Sequence, residues 1–420
     1  MRVFWGAVVC AALLAGGCGG EPREEATPDV VERADVSGEV TGTDIVEEVA
    51  IEVMAEVIPE VLPEVIEAAP PYSMVTFNAG LAYNYVTYAK ERKAAVIGSV
   101  ANLDADFVCM QEVWEAADVE DLKAGALAAF PYSHYADTTA EPGETDPACT
   151  TDETDPLLAC YYEFCDGTDD LTGCIMDNCV AEFTAVTKPC SNCLVANIAK
   201  PIEGIVAACL AGSAAFTYDG LNGVLLLSRH PFESTDFKVL ESFIVRRVVL
   251  HGRVVADSGP VNVFCTHLST EISEIEYDGK SDDWDDEQGD QITEIVKYAE
   301  KQAGEEPSVI IGDMNCGPDV EPNIVGKNQE NFQLYLDAGY TLPYLAQEQV
   351  DCSWCIDNPL TGSGVDRLID HILVKNLGDY EAQFVVERIL DELVTVPHSE
   401  TGDDVETPLS DHYGVHAWLP

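Results

Sequence analysis

The sequence predicts an α/β fold, on three observations. Short apolar runs of strand length recur in the C-terminal three-quarters: Phe107-Val108-Cys109-Met110, Val261-Asn262-Val263-Phe264-Cys265 and Val309-Ile310-Ile311. Stretches with helical spacing lie between them. Each run ends in a polar cluster: Gln111-Glu112, Thr266-His267-Leu268 and Gly312-Asp313-Met314-Asn315, with a fourth, Ser410-Asp411-His412, after an apolar stretch near the C-terminus. The ends of buried strands are where α/β proteins gather their chemistry. Two imidazoles with several carboxylates and carboxamides on one strand-end edge suit metal-assisted phosphoester hydrolysis. A carboxylate holds a hard divalent cation, one His activates water, and Asn with the second His stabilises charge on phosphorus.

The elements follow in chain order. Arg2, the apolar stretch from Val3 to Leu14 and Leu14-Ala15-Gly16-Gly17-Cys18 form an export signal too short to span a bilayer. Small residues before a Cys resemble a bacterial lipobox. That predicts a signal peptide over 1–17, acylation of Cys18 and a lipoprotein of the cell envelope. Gly19 in place of Asp favours the outer membrane or cell surface, with extracellular release a further outcome; an ordinary secretory signal is the alternative. Residues 18–72 read as an acidic tether. Glu48, Glu52, Glu56, Glu60 and Glu64 recur every four residues, but Pro59 and Pro63 oppose a helix and favour an extended, self-repelling chain.

The region 73–420 opens with the strand Met74-Val75-Thr76-Phe77-Asn78. A helix follows, with Ala89, Lys93, Val96, Ile97, Val100 and Leu103 near helical spacing. Asp104-Ala105-Asp106 turns into the strand that delivers Glu112. Val248-Val249-Leu250 and Val261 to Phe264 are strands joined around Ser258-Gly259-Pro260, and Gln291 to Lys301 is a helix leading through Gly304 to the next strand.

Between residues 137 and 219 the pattern breaks. Cys149, Cys160, Cys165, Cys174, Cys179, Cys190, Cys193 and Cys209 crowd here. In an exported chain such a set predicts a disulfide-stapled insertion whose pairing the spacing does not choose. A zinc site at Cys190 and Cys193 is the sharper alternative; Asp166, Asp169 and Asp170 lack EF-hand spacing and read as a solvated acidic loop rather than a calcium site. The insertion falls between two site-bearing strands, where it would cover or rim the cleft. Cys109 and Cys265 lie in buried runs and read as inert core thiols. Cys352 and Cys355 could pair with each other, or one with Cys316.

The clusters, in this order and spacing, resemble the endonuclease/exonuclease/phosphatase superfamily, and the match extends to Asn78, to Gly220 through Ser228-Arg229, and to Asp370 in Ile369-Asp370-His371-Ile372. The resemblance implies a two-sheet α/β sandwich flanked by helices (DNase I-like). It also implies a divalent-metal-dependent phosphoric ester hydrolase using Mg2+, or Mn2+ or Ca2+. Glu112, Asn78 and Asp411 would serve the metal. His412, oriented by Asp370, would be the general base; Asp313 would position the water or the base, and His267 and Asn315 would bind the phosphoryl oxygens. His371 receives no role. The stretch Trp354 to Leu360 before Arg367-Leu368-Ile369-Asp370 resembles neutral sphingomyelinases, with Cys355-Ile356 interposed between Trp and Asp.

Charge bears on the substrate. The chain carries 76 acids against 21 bases, a formal charge of −55. Residues 21–70 hold 15 acids and 2 bases, leaving about −43 on residues 71–420. Nucleic-acid affinity comes mainly from Lys and Arg neutralising phosphates, so DNA or RNA is the weaker partner expectation. A lipid headgroup or small phosphodiester is the stronger one. Trp284, in an acidic segment, is the candidate for membrane insertion. A secreted nuclease and a non-catalytic surface scaffold are the competing readings.

Overall fold

The computed structural model describes residues 72–418, apart from 140–145, 169, 214, 257–258, 274, 348–349, 379–382 and 399–401. The signal segment, Cys18, the acidic stretch to residue 71 and Asp169 lie outside the described residues. No helix among the described residues is long and apolar enough to cross a membrane.

Two sheets face each other. The first comprises β1 (Met74–Asn78), β2 (Phe107–Gln111), β3 (Tyr132–His134), β4 (Leu225–Ser228), β10 (Val385–Ile389) and β13 (Gly414–Trp418), in the order β10-β13-β1-β2-β4-β3. The second comprises β5 (Phe232–Leu240), β6 (Arg247–Ala256), β7 (Gly259–His267), β8 (Ser308–Asp313) and β9 (Asp370–Lys375), in chain order. Only the β1–β2 and β7–β8 pairs are parallel. The stretch before Ser410 is a strand, β12 (Asp404–Pro408), but it pairs with β11 (Leu393–Pro397) in a separate hairpin.

Period-two alternation decides which residues meet between the sheets. Phe107, Cys109, Leu226, Val263, Cys265, Val309, Ile311 and Ile372 turn inward into one cluster. Their neighbours Val108, Met110, Leu225 and Leu227 turn outward beneath α1 (Ala89–Val100) and α2 (Ala116–Ala126). On the other side Phe264, Ile310 and Leu373 turn outward beneath α8 (Trp284–Ala303) and α9 (Gln329–Asp337).

Two expectations change, and one alternative falls. Cys109 and Cys265 are not free core thiols: they form a disulfide joining the two sheets, with Cα atoms 5.5 Å apart. Both sit on inward-facing positions of facing strands, a proximity that 156 residues of separation conceal. Trp284 is no exposed insertion point. It is 8% exposed and begins α8, packed on Phe243 and Tyr277. Asp283 caps that helix by accepting from the Asp286 amide, and the acids of its first turn suit the positive helix end. Cys190 and Cys193 hold no zinc, because each is bonded to another cysteine.

The insertion is helical: α3 (Thr151–Phe164), α4 (Leu171–Asn178), α5 (Val180–Ala185), α6 (Lys188–Ala196) and α7 (Ile202–Ala211). Disulfides Cys149–Cys190, Cys160–Cys179, Cys165–Cys174 and Cys193–Cys209 tie it together around its own apolar core. Asp170 is the side-chain cap of α4, accepting from the Gly173 amide. Cys352 pairs with Cys355, and Cys316 stays free and buried.

Candidate active site

Strand register brings the polar clusters to one edge. In the second sheet His267 pairs with Asp313, and Asp313 with Asp370, in one row across β7, β8 and β9. In the first sheet Asn78 pairs with Gln111, placing Glu112 just beyond, and the loop entering β13 supplies Asp411 and His412. The parallel pairs need their glycines. A Cβ on Gly312 would lie 2.0 Å from the Thr266 carbonyl oxygen, and one on Gly80 would lie 2.6 Å from Asp411 Oδ1. Glu112 and Asn315 both take positive φ, 56° and 51°, an uncommon conformation for such side chains. Asn315 therefore reaches the site from a left-handed turn rather than an extended segment.

A hydrogen-bonded run links the site. Asn78 Nδ2 donates to Glu112 Oε1 at 3.1 Å and to Asp313 Oδ2 at 3.0 Å, while its carbonyl oxygen accepts from the Gly80 amide. Asp313 Oδ2 lies 3.4 Å from His267 Nε2 and 3.7 Å from His412 Nε2. His412 Nδ1 meets Asp370 Oδ2 at 2.8 Å. Asn315 Nδ2 donates to His267 Nε2 at 3.2 Å and to the Leu268 carbonyl, which leaves His267 Nδ1 as the protonated nitrogen. That Nδ1 is buried without a hydrogen-bond partner among the described residues, an open donor beside the cavity.

The electrostatics sort the roles. Burial disfavours charge on His412, but Asp370 and Asp313 outweigh it and raise its pKa to about 10. Burial, followed by Arg247, keeps His267 neutral, with its pKa well below the ordinary value. Burial also opposes ionisation of Asp313, yet His412 and the hydrogen bonds from Asn78 and the Asn315 amide hold its pKa low. Glu112 goes the other way, to about 7, through burial and then the nearby Asp411. Its Oε2 is buried without a partner. Two adjacent acids, one with an orphaned oxygen, form the donor set that a hard divalent cation would complete. The residues present therefore fit a metal. The ligand atoms of Asp313, Asp370 and His412 also lie within 4.8 Å of one another, but the His412–Asp370 hydrogen bond already occupies Nδ1.

Supporting residues were less visible in sequence. Arg92 is fully buried on α1 and donates to the carbonyls of Ala79, Gly80 and Leu409, pinning the Asn78 loop to the Asp411 loop. Ser353 Oγ accepts from the Ile369 and Asp370 amides, Asn358 Nδ2 donates to the Ser410 carbonyl, and the Trp354 ring stands edge-on to His412 at 4.7 Å. The Ser353–Asn358 segment thus holds the His412 loop and the start of β9 at Asp370. Arg247 lies beside the site, 5% exposed, with Nε and Nη1 lacking partners. Arg229 does not reach it, because β4 runs antiparallel to β2 and ends at the opposite edge, where Arg229 pairs with Asp104. His371 is buried between the Tyr344 hydroxyl and the Cys316 carbonyl, away from the chemistry.

A cavity of about 230 Å³ opens on this row. Glu112, His267, Asp313, Asn315, Asp411 and His412 line one end, and apolar side chains of the helical insertion line the rest. Trp114 and Tyr218 stack at its wall with centroids 4.8 Å apart.

Comparison with known proteins agrees with this layout. No curated protein matches the chain by sequence. Among solved structures, Streptomyces griseocarneus sphingomyelinase C is 16% identical, with 84% of this chain and all of that one covered at a TM-score of 0.50. A Staphylococcus aureus beta toxin double mutant with bound magnesium ions is 14% identical, covering 83% of this chain and all of that one at 0.51. SmcL is 12% identical, covering 83% and 99% at 0.52. At these identities the likeness is one of fold, the two-sheet DNase I-like sandwich. Residues 75–412, which span every cluster described, match the endonuclease/exonuclease/phosphatase family profile, and the chain belongs to that family of metal-dependent phosphoester hydrolases.

Proposed function

We propose that the protein is a metal-dependent phosphodiesterase that hydrolyses a phospholipid headgroup, sphingomyelinase-like, or a small phosphodiester. The observation that carries this reading is the buried run from Asp370 through His412 to Asp313, closed by His267 and Asn315. Asp370 fixes the His412 ring through Nδ1, so Nε2 is the atom that takes a proton from water. Asp313, facing both Nε2 atoms, holds that water in line with phosphorus. His267 Nδ1 donates to a phosphoryl oxygen as its charge builds; for Asn315 to join it, Nδ2 would have to leave His267 Nε2 or the Leu268 carbonyl. Glu112 and Asp411 would hold Mg2+ or a similar ion, which would polarise a phosphoryl oxygen and draw the His412 pKa down toward the working range. Asn78 steadies Glu112 and Asp313; contacting the ion through its oxygen would require turning the amide over and giving up the Gly80 bond.

The acidic domain and the Trp354–Asn358 support of the general base favour a lipid headgroup or small phosphodiester over nucleic acid. Export and attachment to the cell envelope through lipid on Cys18 complete the proposal. The test is one activity panel: sphingomyelin, bis-p-nitrophenyl phosphate, inositol phosphates and plasmid DNA, each with Mg2+, Ca2+ or EDTA. Metal-dependent turnover of the diesters above plasmid supports the reading; rapid plasmid nicking with the lipid and small diesters untouched would give the site to a nuclease.

A further inference from the structure

The cavity's far end has no part in phosphoester chemistry. Its walls are Leu157, Leu171, Ile175, Phe183, Leu194 and Ile205, all from the insertion helices α3 to α7. Protein interiors close-pack, so an apolar recess inside a cluster stapled by four disulfides stands out; with the catalytic end included, the cavity measures about 230 Å³. The cross-links tie α3, α4, α6 and α7 to one another or to their flanking segments, and oppose collapse of the helices into the space. An apolar cavity of ~150 Å³ takes one benzene, so the part of this cavity beyond the catalytic row has room for one hydrocarbon chain.

The opposite end is polar, with Arg247 and His412 set among the carboxylates Glu112, Asp313 and Asp411. Arg247 is buried at the cavity wall with Nε and Nη1 unpaired, next to the open Nδ1 donor of His267. The guanidinium also lies over the Trp114 ring, 5.9 Å from its centroid, but two buried nitrogens without hydrogen-bond partners are costly unless an anion meets them. One molecule satisfies both ends: an anionic phosphodiester with one apolar arm.

We propose that the helical insertion is a receptor for a single alkyl or acyl chain. The substrate is then a single-chain amphiphilic phosphodiester, its phosphate among Arg247, His267 and His412 and its chain between the insertion helices. This rests on the phosphodiesterase reading and names its substrate class. The chain leaves the bilayer or solution and enters the protein, so selectivity follows chain length and needs no lipid surface.

The experiment separates the two claims. Binding of n-alkyl phosphates, ethyl to dodecyl, is measured by calorimetry and by fluorescence of the cavity tryptophans Trp114 and Trp354, below the aggregation concentration of each. Turnover of methyl p-nitrophenyl phosphate, which has no long arm, is followed in parallel. There water attacks phosphorus, p-nitrophenolate leaves, and methyl phosphate remains. Affinity should rise about fourfold per methylene and level off once the cavity is full. Ile198→Trp, which fills the cavity from a half-buried position, should abolish the rise and spare methyl p-nitrophenyl phosphate turnover. Met176→Trp, on α4, should do the same, which guards against one variant failing to fold. A flat series with that turnover intact overturns the chain receptor and leaves the phosphodiesterase standing. A rise seen only above the aggregation concentration also overturns it, since the protein would then read a surface. A rise with saturation, but no hydrolysis of any phosphodiester, upholds the receptor and overturns the catalytic reading.

Discussion

Single residues here are legible where chemistry demands a particular group. Glu112 and His412 stand in the metal and base positions, and general-base catalysis alone contributes at least ~100-fold. Glu112→Gln and His412→Ala should therefore each lower phosphodiester turnover by ~100-fold or more, with circular dichroism unchanged. Near-normal turnover of either variant at saturating metal would refute the mechanism. His371 shows the opposite case, a buried imidazole with a structural task. Burial holds its pKa down, to about 4, and its Nε2 donates to the Cys316 carbonyl. The folded pKa lies below the unfolded value of ~6.5, so unfolding takes up a proton between the two. Its contribution is complete above about pH 6.5 and falls as the pH drops toward 4. Wild-type protein should lose up to about 3 kcal/mol through this group over that window. Urea unfolding at pH 7 and pH 4.5 should show a smaller pH difference for His371→Gln; an equal difference would assign the acid sensitivity elsewhere.

At the scale of elements, strands were easier to read than helices. The period-two runs around Val108, Phe264 and Ile310 announce their faces, because each alternate residue must choose the sandwich core or a helix. The insertion gave no such signal. Its helices are short, α3 carries Pro156 in its first half, and cysteines occupy positions that a helical pattern would give to Leu or Ile. Cysteine density suggested staples correctly, but not their pairing, which depends on proximity rather than spacing. Trp284 was misread for a related reason: its flanking acids look like a solvated loop, although Asp283 before them is a helix cap. The inter-sheet disulfide was equally hidden, and it makes a test. Cys109 and Cys265 close a long loop, and native disulfides of this kind contribute ~2–5 kcal/mol. The Cys109→Ala/Cys265→Ala variant should lose stability by about that much in denaturant titration. A loss under ~1 kcal/mol would mean that packing between the sheets suffices without the bond.

For the whole molecule, charge and anchoring set the partners. The small residues before Cys18 predict that native protein partitions into detergent while Cys18→Ser does not; a water-soluble, unacylated wild-type protein with another N-terminus by mass spectrometry would rule out the anchor. Charge then separates lipid from nucleic acid. Residues 71–420 carry about −43, and most of the bases near the motifs and in the insertion are already engaged or buried. Lys188 pairs with Glu276 and Asp278, Lys200 with Asp219 and Arg229 with Asp104. Arg246 lies over the Phe216 ring, Arg367 donates to the Gly326 carbonyl, and Arg247 is buried beside the site. A nuclease that binds through clustered bases loses affinity steeply as salt rises, because counterion release weakens. An acidic domain meeting an acidic duplex behaves in the opposite way, since salt screens their repulsion over a Debye length that shrinks to ~8 Å near 150 mM. Any residual plasmid nicking should accordingly rise, not fall, between ~20 and ~150 mM salt, and stay below hydrolysis of single-chain phosphodiesters throughout. Plasmid nicking that starts fast and collapses over that range would reveal a basic strand-binding face, and would move the substrate from lipid to DNA.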